Sequence, residues 1–296
     1  MYLTGFADEA ADGITGQIRA TQLLGWKYIE ARKVSGRMFS DLAVDEFEHI
    51  KQELQKAGLK INCIASTIAN WQRTVHSPLE YDLLEARQII SRMKELNCKM
   101  VRIMSYAPLR NKKGIILEDQ NEEEIFRRLN LICQMFVDEE ILPVHENCMT
   151  YGGLSWQNTL KLLSHVPALK LVFDTGNPLA LAVESGKVCK GNLDRISWDF
   201  YQHIREKIEY VHIKDAIYNP ENNQITYTYP GEGQANVIEI LEDLLKNSYN
   251  GGLSIEPHME VVFHDPSQQS TDKARFENYI HYGTCLMRLL EKIINA

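Results

Sequence analysis

The sequence predicts an α/β protein folded as a (β/α)8 barrel. Short β-branched or apolar runs alternate with longer amphipathic stretches eight times along the chain, the pattern of strands feeding helices. Eight such units in 296 residues call for a parallel sheet with helices outside, and a closed barrel suits this length better than an open sheet. An open dinucleotide-binding sheet would carry G-x-G-x-x-G after its first strand, and no such run is present.

The first strand is expected over residues 2–6 and the first helix over 14–24, stopped by Gly25 at its C-terminus. A strand over 28–31 follows, then a helix over 44–57 stopped by Gly58. The third pair covers 60–65 and 79–96, the fourth 100–104 and 121–139, the fifth 142–145 and 155–164. The sixth strand, 169–173, leads to a helix over 197–207, and the seventh, 210–213, to one over 235–246. Asn250-Gly251-Gly252 breaks the chain before the last strand, 252–255, and the closing helix runs over 273–294. No Pro/Ser-rich linker or shift in composition divides the chain, so residues 1–296 read as a single domain. The longest irregular connections, 105–118 and 216–233, both follow strands and so build up the catalytic face of a barrel.

Composition narrows the function. The chain is 44% hydrophobic, and its 32 Lys and Arg against 40 Asp and Glu give a formal net charge of −8, which argues against a nucleic-acid partner. Apolar runs fall far short of the roughly 20 residues of a membrane span. The N-terminus turns acidic at Asp8-Glu9 before any signal-like apolar stretch, so a cytoplasmic protein is expected. Cys63, Cys98, Cys133, Cys148, Cys189 and Cys285 are scattered without a C-x-x-C pair, as reduced thiols would be.

The chemistry gathers at the strand ends, because side chains there converge on one mouth. Strand five ends in His145-Glu146-Asn147 and strand six in Asp174-Thr175-Gly176-Asn177. Strand seven contains Val211-His212-Ile213-Lys214-Asp215, and strand eight ends in Glu256-Pro257-His258. Four consecutive strands thus supply Glu146, Asp174, His212 and Glu256. Their three carboxylates and one imidazole suit one divalent ion, Mn2+, Mg2+ or Co2+ before Zn2+. Without a cation, such groups at one depth would crowd uncompensated charge. A metal chelating a carbonyl and a neighbouring hydroxyl would polarise the adjacent C–H bond, with flanking carboxylates moving the proton.

In order and spacing, Glu146, Phe173-Asp174-Thr175-Gly176, Val211-His212-Ile213-Lys214-Asp215, Pro230-Gly231-Glu232-Gly233 and Ile255-Glu256-Pro257-His258 resemble the xylose isomerase-like (AP endonuclease family 2) TIM-barrel superfamily. This is the group of sugar phosphate isomerases and epimerases. The resemblance implies a single-metal site on Glu146, Asp174, His212 and Glu256, with Glu146 and Glu256 also the acid/base pair. It implies a metal-dependent isomerase or epimerase working through an enediolate on a keto-sugar, a sugar phosphate or a related polyol. An inosose-type dehydratase using the same site is the alternative, and a non-catalytic carbohydrate-binding barrel the alternative of another class.

Two departures bear on the branch. Ketose 3-epimerases of the family commonly carry a histidine where this chain has Asn177, and an arginine where it has Tyr218. The three-zinc endonuclease branch needs histidines that Ser66, Thr67, Ser105, Tyr106, Asn177 and Ile217 do not provide. Lys214, His258, Asn177, Trp71 and Glu30 are the candidate substrate contacts, with Trp71 and Tyr106 as aromatic walls. Asp8, Glu9 and Arg32 either bind sugar hydroxyls or cap helices, and His145, by strand alternation, faces away from the axis. A phosphate, if carried, would fall to Lys214, Arg73, Arg110 or Lys113. The expected partner is a small sugar or polyol, with a homo-oligomer possible by resemblance.

Overall fold

The computed structural model describes residues 1–186, 193–262 and 265–295. Its central sheet comprises β1 (Tyr2–Gly5), β2 (Tyr28–Ala31), β3 (Lys60–Ala65), β4 (Met100–Ile103), β5 (Leu142–Glu146), β6 (Lys170–Asp174), β7 (Ile208–Ile213) and β8 (Gly252–Ile255). From β2 to β8 every strand pairs in parallel with the next, and β8 pairs in parallel with β1. An isolated parallel bridge between Phe6 and Glu30 brings β1 to β2 and completes the (β/α)8 barrel. Outside lie α1 (Ile14–Leu23), α2 (Val44–Ala57), α3 (Glu80–Leu96), α4 (Glu122–Val137) and α5 (Trp156–His165). They are followed by α6 (Asn177–Glu184), α7 (Ile196–Ile204), α8 (Val237–Lys246) and α9 (Asp272–Ile294).

Alternation along each strand sorts side chains between two cores. On β6, Leu171 and Phe173 point outward, and the Phe173 ring lies 6.0 Å from Phe200 and 5.7 Å from Tyr201 on α7. Truncating such a buried phenylalanine costs about 3–5 kcal/mol. Val172 points inward to join Val144, Cys63 and Tyr210 in the barrel interior. The next inward residue on β5 and β6 is a carboxylate, Glu146 or Asp174, and on β7 it is His212. The same period that fills the barrel with apolar atoms therefore delivers the polar layer above them.

Two stretches on the sixth and seventh units differ from the sequence reading. The connection after β6 starts with α6, a helix not expected there, whose first amides at Gly176 and Asn177 are both capped by Asp174 Oδ1 at 2.8 Å. The connection 216–233 is not wholly irregular, because Asp215–Asn219 pairs antiparallel with Gln224–Thr228. Its β-branched and aromatic residues on either side of an Asn-rich turn, with Asn223 at φ 55°, are hairpin formers. The five described cysteines are free, and Cys189 lies outside the described residues. No described helix is long and apolar enough to cross a membrane.

Candidate metal centre

Glu146, Asp174, His212 and Glu256 are all buried, and one ligand atom from each lies within 4.8 Å of the others. Register sets this meeting. Asp174 and His212 are paired neighbours on β6 and β7, Ser254 is paired with His212, and Glu256 follows Ser254 by two. The His212 ring sits edge-on to Phe6 and Tyr210, at 5.1 and 5.4 Å between centroids. Its Nε2 is 3.1 Å from Glu30 Oε1. Its buried Nδ1 has no hydrogen-bond partner and lies 3.8 Å from Glu146 Oε2 and 3.9 Å from Glu256 Oε2.

Each carboxylate is held from behind. Asn177 Nδ2 donates to Glu146 Oε1 at 2.9 Å, and Arg102 Nη1 donates to Oε2. Glu256 accepts from Arg32 Nη1 at 3.0 Å and from the Lys214 ammonium at 2.8 Å. Asn147 and Asp174 exchange side-chain to backbone hydrogen bonds of 3.0 and 2.6 Å, which fixes the end of β6. Asp174 Oδ2 is an ion-pair neighbour of Lys214 Nζ at 2.9 Å without the alignment of a hydrogen bond. Gly176 leaves room for the Lys214 stem, since a Cβ there would stand 2.9 Å from Lys214 Cγ. Burial opposes charge at Glu146, but Arg102 and then His212 outweigh it and hold the carboxyl below the ordinary range. At Glu256 burial is overcome by Lys214, His258 and Arg32, with the same result. Burial wins at Asp174, lifting its carboxyl to about 7 against the pull of Lys214.

These residues fit a divalent ion. Two oxygen or nitrogen ligands on one ion, each about 2.0–2.3 Å away, stand about 3–4.5 Å apart, which matches the spacing around His212 Nδ1. The orphaned nitrogen is the second sign, because a buried imidazole with one side tied to a carboxylate and the other unsatisfied is the arrangement of a metal-ligating histidine. Burial disfavours the imidazolium, yet Glu30 and Glu146 draw it up to about 10, showing how strongly this pocket attracts positive charge.

Above the centre is a cleft of about 360 Å3. Trp71, Asn177, Lys214 and His258 line it, with Arg32, Arg102 and, from the hairpin after β7, Ile225 and Tyr227. Asp215 anchors that hairpin, its carboxylate accepting from the amides of Ala216, Gly231, Gly233 and Ala235 at 2.9–3.0 Å. A Cβ at position 233 would fall 2.2 Å from Asp215 Oδ1. His258 is fixed by Glu9, which accepts from its backbone amide at 2.8 Å and meets its Nδ1 at 3.0 Å.

Glu30 corrects one expectation. It does not line the cleft; it lies beneath the centre, 1% exposed, bonded to His212, to Tyr210 Oη at 2.7 Å and to Ser254 Oγ at 2.6 Å. Its bulged, inward position on β2 makes it a support for His212 and not a substrate contact. Arg73 is likewise committed elsewhere, to Asp82 and Glu85 of α3. Sequence reasoning missed the parts played by Arg32, Arg102 and Glu9. For Arg102 a signal was present, because a charged residue inside a strand of a parallel barrel is covered on both faces and must meet a buried partner.

A model of the family described as xylose isomerase-like TIM barrel matches residues 18–277. No curated protein matches the sequence. Among solved structures, a xylose isomerase-like TIM barrel protein from Mycobacterium smegmatis in complex with magnesium is 16% identical at a TM-score of 0.68, covering 98% of this chain and 97% of its own. The probable 3-DHS dehydratase of petrobactin synthesis from Bacillus anthracis is 18% identical at 0.69, covering 97% and 98%. D-psicose 3-epimerase from Clostridium cellulolyticum H10 is 12% identical at 0.68, covering 98% and 99%. At these identities the likeness is one of fold.

Proposed function

The chain belongs to the xylose isomerase-like TIM barrel family, and on that premise we propose that it is a divalent-metal-dependent isomerase or epimerase of a keto-sugar or related polyol. The observation that carries this reading is the buried, unpartnered Nδ1 of His212 facing Glu146 and Glu256, with Asp174 beside it. Magnesium or another divalent ion held by these four residues would stabilise negative charge developing on a substrate carbonyl oxygen. Glu146 and Glu256 take the proton-transfer roles, one removing a proton α to the carbonyl and the other returning one. Asn177 and Arg102 aim Glu146, Arg32 and Lys214 aim Glu256, and Trp71 and Tyr227 wall the cleft. The small substrate and the single domain over residues 1–296 belong to the same reading.

One observation favours a lyase as the second reading. Cations hold both glutamates as carboxylates, which supplies bases readily, and expulsion of a hydroxyl β to a carbonyl begins with one base. Elemental analysis of the purified protein tests the shared premise: divalent metal is expected in the parent and absent from Asp174→Ala and His212→Ala. A metal-free parent after incubation with excess Mn2+, Mg2+, Co2+ and Zn2+ would sink both readings. Product mass then separates them, since isomerisation conserves mass and dehydration loses water, and Glu146→Gln or Glu256→Gln should stop either reaction.

A further inference from the structure

Two arginines reach the cleft over one aromatic ring, with guanidinium carbons 4.2 Å (Arg32) and 5.5 Å (Arg102) from the Phe6 centroid. They use their donors very differently. Arg32 hydrogen-bonds to Asp8 twice at 2.9 and 3.2 Å, to Glu9 at 3.2 Å and to Glu256 at 3.0 Å. Arg102 makes one such bond among the described residues, from Nη1 to Glu146. Its Nε is buried without an acceptor, although the residue, only 4% exposed, lines the cleft. A guanidinium has five N–H donors, and leaving buried ones unmatched is costly.

Nε and Nη2 form one edge of the guanidinium plane, the edge that receives a carboxylate through two parallel hydrogen bonds. The Nη1 bond to Glu146 fixes the rotation of that plane and leaves this edge uncommitted. Lys214, the third cation lining the cleft, is already set between Asp174 and Glu256. We propose that Arg102 anchors a carboxylate on the substrate, so that the cleft takes an acidic sugar or polyol derivative whose carboxylate lies on the Nε/Nη2 edge. Its hydroxyl and carbonyl end then reaches the four-strand centre. This rests on the metal-site reading above and narrows its substrate class.

The test uses the full chain loaded with Mn2+, titrated calorimetrically with D-glucuronate and D-galacturonate and with the neutral D-glucose and D-galactose. In the parent the uronates should bind at least about tenfold more tightly than the matching hexoses, the scale of charge-assisted hydrogen bonds. Arg102→Gln should abolish that ratio. Arg102→Lys, which keeps the charge and loses the two-donor edge, should abolish most of it, and it carries the test if the glutamine variant does not fold. Equal binding of hexose and uronate, a ratio unchanged in the variants, or no Arg102-dependent uptake of either uronate overturns the proposal. A metal-loaded parent that fails in any of these ways leaves the metal-site reading intact, whereas a parent that takes up no Mn2+ overturns both.

Discussion

The last four strands of the barrel and the first four divide the work of the centre between them. β5 to β8 end in groups that face one another: Glu146, Asp174, His212 and Glu256. β1 to β4, with the turns after β1 and β2, supply much of what holds those side chains in place: Glu30 behind His212, Arg102 on Glu146, and Arg32 on Glu256 with Asp8 and Glu9 fixing the arginine, alongside Asn177 and Lys214 from the other half. The carboxylates could not persist in the barrel interior without Arg32, Arg102 and Lys214, because taking unpaired charge out of water costs more than packing returns. The proposed ligand half therefore names the chemistry, and the supporting groups, most of them in the other half, make its burial possible.

The largest expected effect comes from the ligand half. His212→Ala removes the nitrogen shared by the two glutamates, and about one bound divalent ion per chain in the parent should fall to background by elemental analysis. Retained metal would move the site elsewhere. In the supporting half, Arg32→Met leaves Asp8, Glu9 and Glu256 without their common cation, a loss of about 3–5 kcal/mol for a broken buried pair. Urea unfolding should show it, and a shift within experimental error would mean that the three carboxylates find other partners.

Glu30→Gln should act on affinity instead. It keeps an acceptor for His212 Nε2 and removes the charge, so Mn2+ affinity should drop about 10–100-fold, the scale for lost supports of ligating histidines. The Co2+ absorption spectrum should change with it. Unchanged affinity and spectrum would leave Glu30 a structural residue only.

The smallest effect concerns His145, on the outer face of β5 beside Glu146. Its Nε2 is 2.9 Å from Ser105 Oγ, which also receives the Gly152 amide at 2.7 Å. Burial lowers the imidazole from 6.5 to about 4, against Glu146 and with help from Arg102. The native ring therefore stays neutral while the unfolded chain binds a proton, so this contribution to stability is complete above about pH 6.5 and is lost as pH falls toward 4. Urea midpoints across that window should fall less steeply in His145→Asn than in the parent. Equal slopes would show that the ring charges in the folded state.

Much of the ligand half is legible in the amino-acid sequence, because strand period two and a common mouth place Glu146, Asp174, His212 and Glu256 at one depth. The supporting half is not, for reasons visible in Glu30. A place at a strand end suggests an open mouth, but a bulge in β2 and the closure of β1 on β2 turn this residue under His212. Helix α6 gives little local signal, being eight residues long and started by a cap that belongs to the proposed metal ligand Asp174. The hairpin after β7 sits in a stretch with the turn residues of a loop, although its alternating β-formers carry the signal of paired strands.

By itself the sequence determined the order of strands and helices, the inward or outward face of each strand residue and the chemical character of the mouth. These follow from local periodicity and from the excess of acidic groups at strand ends. Only the tertiary structure decided which cation meets which carboxylate, that the Arg32 donors are committed while an edge of Arg102 is not, and which histidine nitrogen is left without a partner. Such pairings join residues far apart in the chain, as Arg32 is 224 positions from Glu256, and no local pattern encodes a contact made only when the barrel closes.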